Sequence, residues 1–478
     1  MKYIALTIGP IYKTLANAKT TREIWGASYF FSYVMKSVIQ KVFEYEDIEF
    51  ITPFVTKEVL TLHNGVGLFH DRIIIRSTSF TKEQLDTVVK EVLFEIEEAS
   101  NGSLRYNFLK NYLQIHTIEI EASKIKNPIL DLNLYLDSAE LFYQVQLEEH
   151  NLILDFIHNR LSGSFLAKDA FGSTKASFES LPEIALSGFD KKHLQTLLKN
   201  DELEVYENTT IKQHLQPYHK YIAIVQADGD NMGALLEAIG TDDQQRELFS
   251  KALFDFCLQA TTLVETFEGR MIYAGGDDLL FFAPVVSNKE TIFSLLKRLD
   301  NLFKEKINPV IKKLSLQEEQ PSLSFGLSIT YYKFPLYEAR KRAAQLLFEK
   351  AKSGKKNQIA YYVTKHSGQS FEGLIVKDAM FQTFLDMVAY EQKLDANFLH
   401  SIYTKIDKYK TVLQTIEGHP QKVDNFYENY FNEEVHHSTY KPFIEKMKTF
   451  TKEVYANGYD TTFLYATLRF KKFLLGDK

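Results

Sequence analysis

Residues 220–227, KYIAIVQA, are apolar at almost every position and run directly into Asp228-Gly229-Asp230-Asn231. An unbroken apolar run of strand length, stopped by turn residues, reads as a central strand buried in a sheet. The segments C-terminal to it fix the architecture. The DGDN turn leads into a helix, and a second helical pattern covers 243–267. A strand at 270–274, the turn Gly275-Gly276-Asp277-Asp278 and a returning strand at 279–283 form a hairpin, with glycines supplying the positive φ such turns need. A helix over 288–312 comes next. Residues 322–332, SLSFGLSITYY, then alternate, with Leu323, Phe325, Leu327, Ile329 and Tyr331 on one face and Ser322, Ser324, Gly326, Ser328 and Thr330 on the other. A helix over 336–351 and a strand over 358–363 complete the unit. The order is that of the split βαβ, ferredoxin-like fold, the α+β palm of many polymerases and nucleotidyl cyclases.

The first block carries a similar pattern. A strand at 3–8 closes on Gly9-Pro10, and a long helical pattern spans 21–43. Strands are expected at 50–54, 66–77 and 117–121. A helix at 81–99 has Leu85, Val88, Val89, Val92, Leu93 and Ile96 at i, i+3, i+4, i+7 spacing. YIALTIGP at 3–10 is similar to YIAIVQADGD at 221–230, and the hairpin expected around Leu68-Phe69-His70-Asp71 takes the place of the later GGDD turn. This reads as a second palm without the acidic cluster. Residues 125–210 are mostly helical, broken at Gly163, Gly172 and Pro182. The polar stretch 200–219 is the expected boundary, and the chain is expected to be helical from Ser370 to the end. These patterns divide the chain into four segments: a degenerate palm (1–124), a helical linker (125–212), the GGDD palm (213–366) and a helical domain (367–478).

Composition excludes several classes. The 478 residues allow roughly two to four domains, and 45% hydrophobic with 25% charged residues suits large cores. A net charge of −6 argues against coating nucleic acid by bulk charge and leaves room for local patches such as Lys341, Arg342, Lys350, Lys352, Lys355 and Lys356. One cysteine, Cys257, permits no internal disulfide and no cysteine zinc site, consistent with a reducing cytoplasm. No run approaches the ~18 apolar residues of a membrane span, and the N-terminus lacks a signal-peptide pattern. A cytoplasmic protein with no membrane partner is expected.

Three carboxylates lie at two strand ends of the second palm: Asp228 after the first strand, Asp277 and Asp278 in the hairpin between the second and third. In a βαββαβ sheet those strand ends meet at one edge. Clustered carboxylates repel unless a cation neutralises them, and an all-oxygen donor set suits Mg²⁺ or Mn²⁺. Two such ions can clamp the oxygens of a phosphoryl displacement. A GGDD turn alone is an ordinary exposed hairpin; the DGDN segment and the run Ala351-Lys352-Ser353-Gly354-Lys355-Lys356-Asn357 make the functional reading the stronger one. Asp230 either orients its turn or contacts nucleotide. Other motifs carry less. His70-Asp71 lacks the further ligands of a phosphohydrolase, Asn64-Gly65-Val66-Gly67 is a plain turn, no Walker-type loop occurs, and Trp25 belongs to a core.

At these residues the sequence resembles the large subunit of type III CRISPR effector complexes of the Cmr type. The stretches are IGPIYKTLANAKTTREIWGASYFFSYV (8–34), VQADGDNMG (225–233), YAGGDDLLFFAP (273–284), SLSFGLSITYYKFPLYEA (322–339) and AK…HSGQ (351–369). The palm is also similar to GGDEF-type diguanylate cyclases, whose AKxxGRN segment is echoed at 351–357. The resemblance implies two palms with ATP between them and metal on Asp228, Asp277 and Asp278. It implies nucleotide contacts from Gly229, Asp230, Asn231, Gly275 and Gly276, and triphosphate contacts from Lys352, Lys355 and Lys356. It further implies partner effector subunits, guide RNA and target RNA, and a product of 3′–5′ cyclic oligoadenylate. The chain starts at the first palm rather than at an HD nuclease, so DNA cleavage is not expected. Some nuclease-lacking relatives are thought to join AMP to S-adenosylmethionine, and the sequence leaves that acceptor open. A GGDEF-like cyclase outside CRISPR and an inactive scaffold are the competing readings.

Overall fold

The computed structural model describes residues 1–142, 151–174, 178–189, 215–314, 321–391, 394, 396–431 and 440–475. Two sheets organise the chain. The first contains β1 (Lys2–Gly9), β2 (Glu49–Thr52), β3 (Arg72–Ser77) and β4 (Gln114–Glu121), in the order β2-β3-β1-β4. The second contains β5 (Tyr221–Gly229), β6 (Arg270–Gly275), β7 (Asp278–Pro284), β10 (Leu323–Tyr331), β11 (Gln358–Thr364) and β12 (Ser370–Val376). Between them in sequence, β8 (Val286–Ser287) and β9 (Glu290–Thr291) form a small ribbon of their own. The large sheet runs β12-β11-β10-β5-β7-β6. Read from β6, its first four strands are β6-β7-β5-β10, which matches β2-β3-β1-β4 strand for strand. The repeat that is faint in the sequence is therefore plain in the topology.

The chain divides into two compact units. One comprises Met1–Leu181, Ala227–Phe282 and Arg298–Leu323; the other comprises Pro182–Gln226, Ala283–Lys297 and Ser324–Lys478. In the first unit β1 is the spine of its sheet, pairing antiparallel with both β3 and β4. Tyr3 and Ala5 face a core made with Ile51, Ile74, Leu132 and Leu136, the last two from the helix Pro128–Glu140. Alternation sends Ile4 and Leu6 to the opposite face, and both are fully buried. The helix Thr21–Val42 opens with a capping box: Thr20 accepts from the Glu23 amide, and the Glu23 carboxylate accepts from the backbone at Lys19 and Thr20. Gly26 lets the helix Leu152–Arg160 come close, since a Cβ there would lie 2.6 Å from Ile157 Cγ2. Trp25 is core, stacked on Tyr29 with ring centroids 4.9 Å apart and donating Nε1–H to the Gly65 carbonyl.

In the second unit β11 runs parallel to β10 and β12 runs antiparallel to β11. The alternating face of small residues in β10 is not a solvent face; all of Leu323–Thr330 is buried. Glycine is required there because a Cβ on Gly326 would lie 2.0 Å from the Ala343 carbonyl oxygen and 2.6 Å from the Leu347 nitrogen. A helix backbone thus rests directly on the strand. On the opposite face Tyr361 of β11 stacks on Phe470, 4.7 Å between centroids, and bonds Thr467 through its hydroxyl. Helices from the C-terminal stretch therefore cover the large side chains of the sheet.

Three expectations are corrected. Of the strand expected at 66–77 only Arg72–Ser77 forms; His70 lies in the preceding loop, with Thr52 Oγ1 3.2 Å from its Nε2, so no hairpin exists there. The chain is not helical from Ser370: Ser370–Val376 is β12, reached through a turn in which Gly368 has φ +81° and Lys365 N–H donates to the Gln369 carbonyl. The helix at 288–312 begins only at Ile292, because Val286–Thr291 forms the β8-β9 ribbon. Much of the boundary expected at 200–219 lies outside the described residues; Pro217–Lys220 is a 3₁₀ turn leading into β5.

The β10 face generates an opposed pair of expectations. Gly326→Ala should destabilise the protein by about 3 kcal/mol through overpacking against helix backbone. Ser328→Ala should be neutral or stabilise by about 1 kcal/mol, because the buried Ser328 hydroxyl has no partner among the described residues. Urea unfolding of the two variants beside the parent chain would check the sign of each.

Candidate active site at a strand-end hairpin

The hairpin between β6 and β7 is as tight as a hairpin can be. Gly275 pairs with Asp278, leaving Gly276 and Asp277 as the two turn residues. The two glycines serve different ends. Gly276 has φ +66° and open space where a Cβ would be, so backbone conformation demands it. Gly275 has ordinary φ, but a Cβ there would lie 2.1 Å from Tyr273 Oη, so the Tyr273 ring demands it. From below, buried Cys257 on the helix Asp243–Thr266 donates its thiol to the Gly276 carbonyl at 3.2 Å. Burial, and then the Asp277 charge, hold that thiol well above its usual range and so protonated.

The hairpin delivers Asp277 to the end of β5. A Cβ on Gly229 would lie 2.7 Å from Asp277 Oδ2 and 2.8 Å from Asp277 Cβ, so the aspartate occupies the place a side chain at 229 would take. Burial pushes the Asp277 carboxyl up to about 6; its own amide and that of Gly229 donate to it and oppose the rise, while the charge of Asp230 adds to it. Asp228 precedes this contact by one residue and is half-buried, as is Asp278 at the start of β7. Asp230 turns inward and is only 6% exposed; Ser322 Oγ donates to its Oδ2 at 2.7 Å. Asn231 takes φ +59° and stands at the N-cap of the helix Met232–Ile239.

The first sheet's side of the unit also touches this region electrostatically. The Tyr273 phenol is held well above its usual range by burial, and then by the charges of Asp278 and of Asp71, the residue just before β3. Asp71 stands before β3 as Asp277 stands before β7. Neither Tyr273 nor Ser322 is assigned a role from sequence; the only signal for Tyr273 is its position two residues before the glycine pair.

The lysines expected to meet phosphate belong to the second unit. The helix Leu336–Gln345 runs into a π-helical turn, Leu346–Ala351, and Lys352 N–H donates five residues back to the Leu347 carbonyl at 2.9 Å. Burial, with the neighbouring Lys356 charge second, lowers the Lys352 ammonium to about 8. Gly354, Lys356 and Asn357 all have positive φ, and Lys355 is exposed. Two other cations of the expected patch are otherwise engaged: Lys350 pairs with Glu372 at 2.8 Å, and Arg342 lies over the Tyr362 ring.

Carboxylate oxygens, with a carboxyl withdrawn from water beside a second acid, form a place that favours a hard cation. Among the described residues, however, no three or more His, Cys, Asp or Glu side chains already converge as a metal cage. The feature already assembled is the Asp277–Gly229 contact, with Asp228 and Asp278 adjoining it in sequence. Among the described residues no helix is long and apolar enough to cross a membrane.

Comparison with known proteins reaches part of each sheet. Residues 221–360 match the family model of the Cas10/Cmr2 second palm domain, and residues 3–104 that of the N-terminal region of CRISPR-associated protein Cmr2. The CRISPR system Cmr subunit Cmr2 of Pyrococcus furiosus is 28% identical over 262 residues, which cover 47% of this chain and 29% of that protein. The match thus spans less than a third of the relative's length. Two solved structures share the fold. Type III-B Cmr-beta in its apo state gives a TM-score of 0.55 at 12% identity, covering 86% of this chain and 75% of the other. A Csm1–Csm4 cassette in complex with one ATP gives 0.55 at 11%, covering 99% and 70%. The GGDD hairpin falls inside the second-palm match, and β2, β3 and nearly all of β1 fall inside the N-terminal one; on that footing the chain belongs to the Cas10/Cmr2 family of type III CRISPR large subunits.

Proposed function

We propose that this chain is a nucleotidyltransferase that joins ATP-derived units within a type III CRISPR effector complex, with 3′–5′ cyclic oligoadenylate as product. The observation that carries the reading is the seating of Asp277 on Gly229, which gathers the acid-bearing ends of β5 and β7. Relatives support it: similar Csm1–Csm4 cassettes are described in complex with one ATP and, at a TM-score of 0.51, with cA4. A Cmr-beta structure is described bound to cognate target RNA, and on that basis other effector subunits, guide RNA and target RNA are the partners proposed here.

Asp228, Asp277 and Asp278 would hold Mg²⁺ or Mn²⁺, whose contribution is neutralisation of charge on the phosphoryl oxygens. The chain's own residues supply position. Gly276 leaves open space beside the turn, Gly275 makes room for the Tyr273 ring, and Gly229 leaves room for Asp277. Lys352, supported by Lys355 and Lys356, binds triphosphate. The 3′-hydroxyl of one nucleotide attacks the α-phosphorus of the next. A new P–O bond forms, the bond to the β-phosphate oxygen breaks, pyrophosphate leaves and the hydroxyl proton passes to solvent. Positioning and charge account for most of the acceleration in such a transfer.

Replacing the acids of the turn together, Asp277→Asn with Asp278→Asn, should lower turnover at least about 1,000-fold, the scale of several kcal/mol of charge stabilisation. Pyrophosphate release by the assembled complex with target RNA and ATP measures this; turnover near the parent rate would overturn the site. Mass identification of the product in the same reaction, with S-adenosylmethionine present or absent, separates cyclic oligoadenylate from an AMP conjugate.

A second expectation concerns pH. The free Lys352 ammonium loses its proton near pH 8, whereas bound triphosphate favours the charged form. ATP affinity should therefore be full below pH 7 and fall roughly tenfold by pH 9. The Lys352→Arg variant stays charged throughout and should flatten this fall in calorimetric titrations; an equally steep fall with arginine would remove Lys352 from the site.

A further inference from the structure

Asp230 lies two residues beyond Asp228, yet its carboxylate is turned away from solvent. It is 6% exposed, and Ser322, which holds it, is 5% exposed. Two hydrogen bonds join them in opposite directions: Ser322 Oγ donates to Asp230 Oδ2 at 2.7 Å, and the Asp230 amide donates to the Ser322 carbonyl at 2.9 Å. The next residue along is fixed by a second buried acid. Leu323 N–H donates to Asp300 Oδ1 at 3.0 Å, Asp300 is 4% exposed, and Lys304 closes on its other oxygen at 2.7 Å. The start of β10 is thus gripped from a helix on one side and holds the end of β5 on the other. Gly229, the residue between Asp228 and Asp230, is the one against which Asp277 seats.

We propose that Asp230 and Ser322 form a positioning latch: Asp230 acts from behind the site, fixing the end of β5 so that Asp228 and Asp277 share one edge, and does not contact nucleotide. A buried acid whose oxygen is taken up by Ser322 serves as an anchor for backbone. Loosening that anchor shifts Gly229, and with it both the carboxylate before it and the one seated on it. Outer partners of ligating carboxylates characteristically change cation affinity about 10- to 100-fold when removed. A nucleotide contact, by contrast, would change ATP affinity and leave cation affinity alone. The inference rests on the proposed metal role of the acids, and its test separates the two.

The test titrates the full chain with Mn²⁺, followed by electron paramagnetic resonance, and measures ATP affinity on the same samples by calorimetry without divalent cation. Asp230→Asn and Ser322→Ala should each weaken Mn²⁺ binding about tenfold. Metal-free ATP affinity should hold within about twofold, and Ser322→Thr, which keeps the hydroxyl, should restore Mn²⁺ binding. Thermal unfolding of each variant reports folding; should Asp230→Asn not fold, the Ser322→Ala and Ser322→Thr pair decides alone. Unchanged Mn²⁺ binding in Ser322→Ala, or an Asp230→Asn variant that loses ATP affinity while keeping Mn²⁺, overturns the latch. Mn²⁺ binding by the parent chain that survives Asp277→Asn with Asp278→Asn overturns the underlying metal reading instead, and the latch with it.

Discussion

The site depends on a missing side chain. Gly229 ends β5 with nothing on its Cα, and the Asp277 carboxylate fills that space, 2.7 Å from where a Cβ would be. Everything nearby serves to keep two strand ends this close. The Gly276-Asp277 turn is short enough to bring the carboxylate across, and Cys257 holds the turn's carbonyl from beneath. Because the contact withdraws Asp277 from water beside another acid, it also raises the free energy of the charged carboxylate. The geometry that brings the acids together is the same geometry that makes a counter-cation favourable.

Duplication gives this arrangement its setting. The strand orders β2-β3-β1-β4 and β6-β7-β5-β10 are one pattern used twice, with the acids on the second copy. The copies have diverged most at the connection between the second and third strands. In the second copy it is a two-residue turn. In the first it runs from 53 to 71, includes the short helix Lys57–Leu60, and is tied by Trp25 at Gly65. That long connection ends on His70-Asp71, so a single acid, Asp71, takes the place before β3 that Asp277 takes before β7.

Much of this was legible in the sequence, for reasons that differ by element. The six apolar positions from Leu85 to Ile96 set a helical period and are the buried residues of Lys82–Ala99. Residues 270–283 were readable because Gly-Gly-Asp-Asp allows little besides a tight hairpin. By contrast β12 was hidden: SFEGLIV mixes polar residues into the run, and its Gly373 is there to clear the Tyr361 hydroxyl, 2.4 Å from the position of a Cβ. The need for Gly275 was misassigned to φ because the ring that requires it approaches only once the strand is formed. Asp230 was readable as an acid in the right turn, but its direction was not, since Ser322 meets it across 92 residues of chain.

The π-helical turn Leu346–Ala351 has a consequence for the lysines beyond it. An extra residue inserted in a helical turn rotates the rest of the helix by roughly 100° about the axis. Heading there is set by winding, upstream of the loop chemistry. Since Gly326 lets β10 press on the backbone at Ala343 and Leu347, the coil cannot relax by sliding along the strand. The compass bearing of Lys352 is therefore inherited from a glycine on a neighbouring strand, 26 positions earlier in the chain.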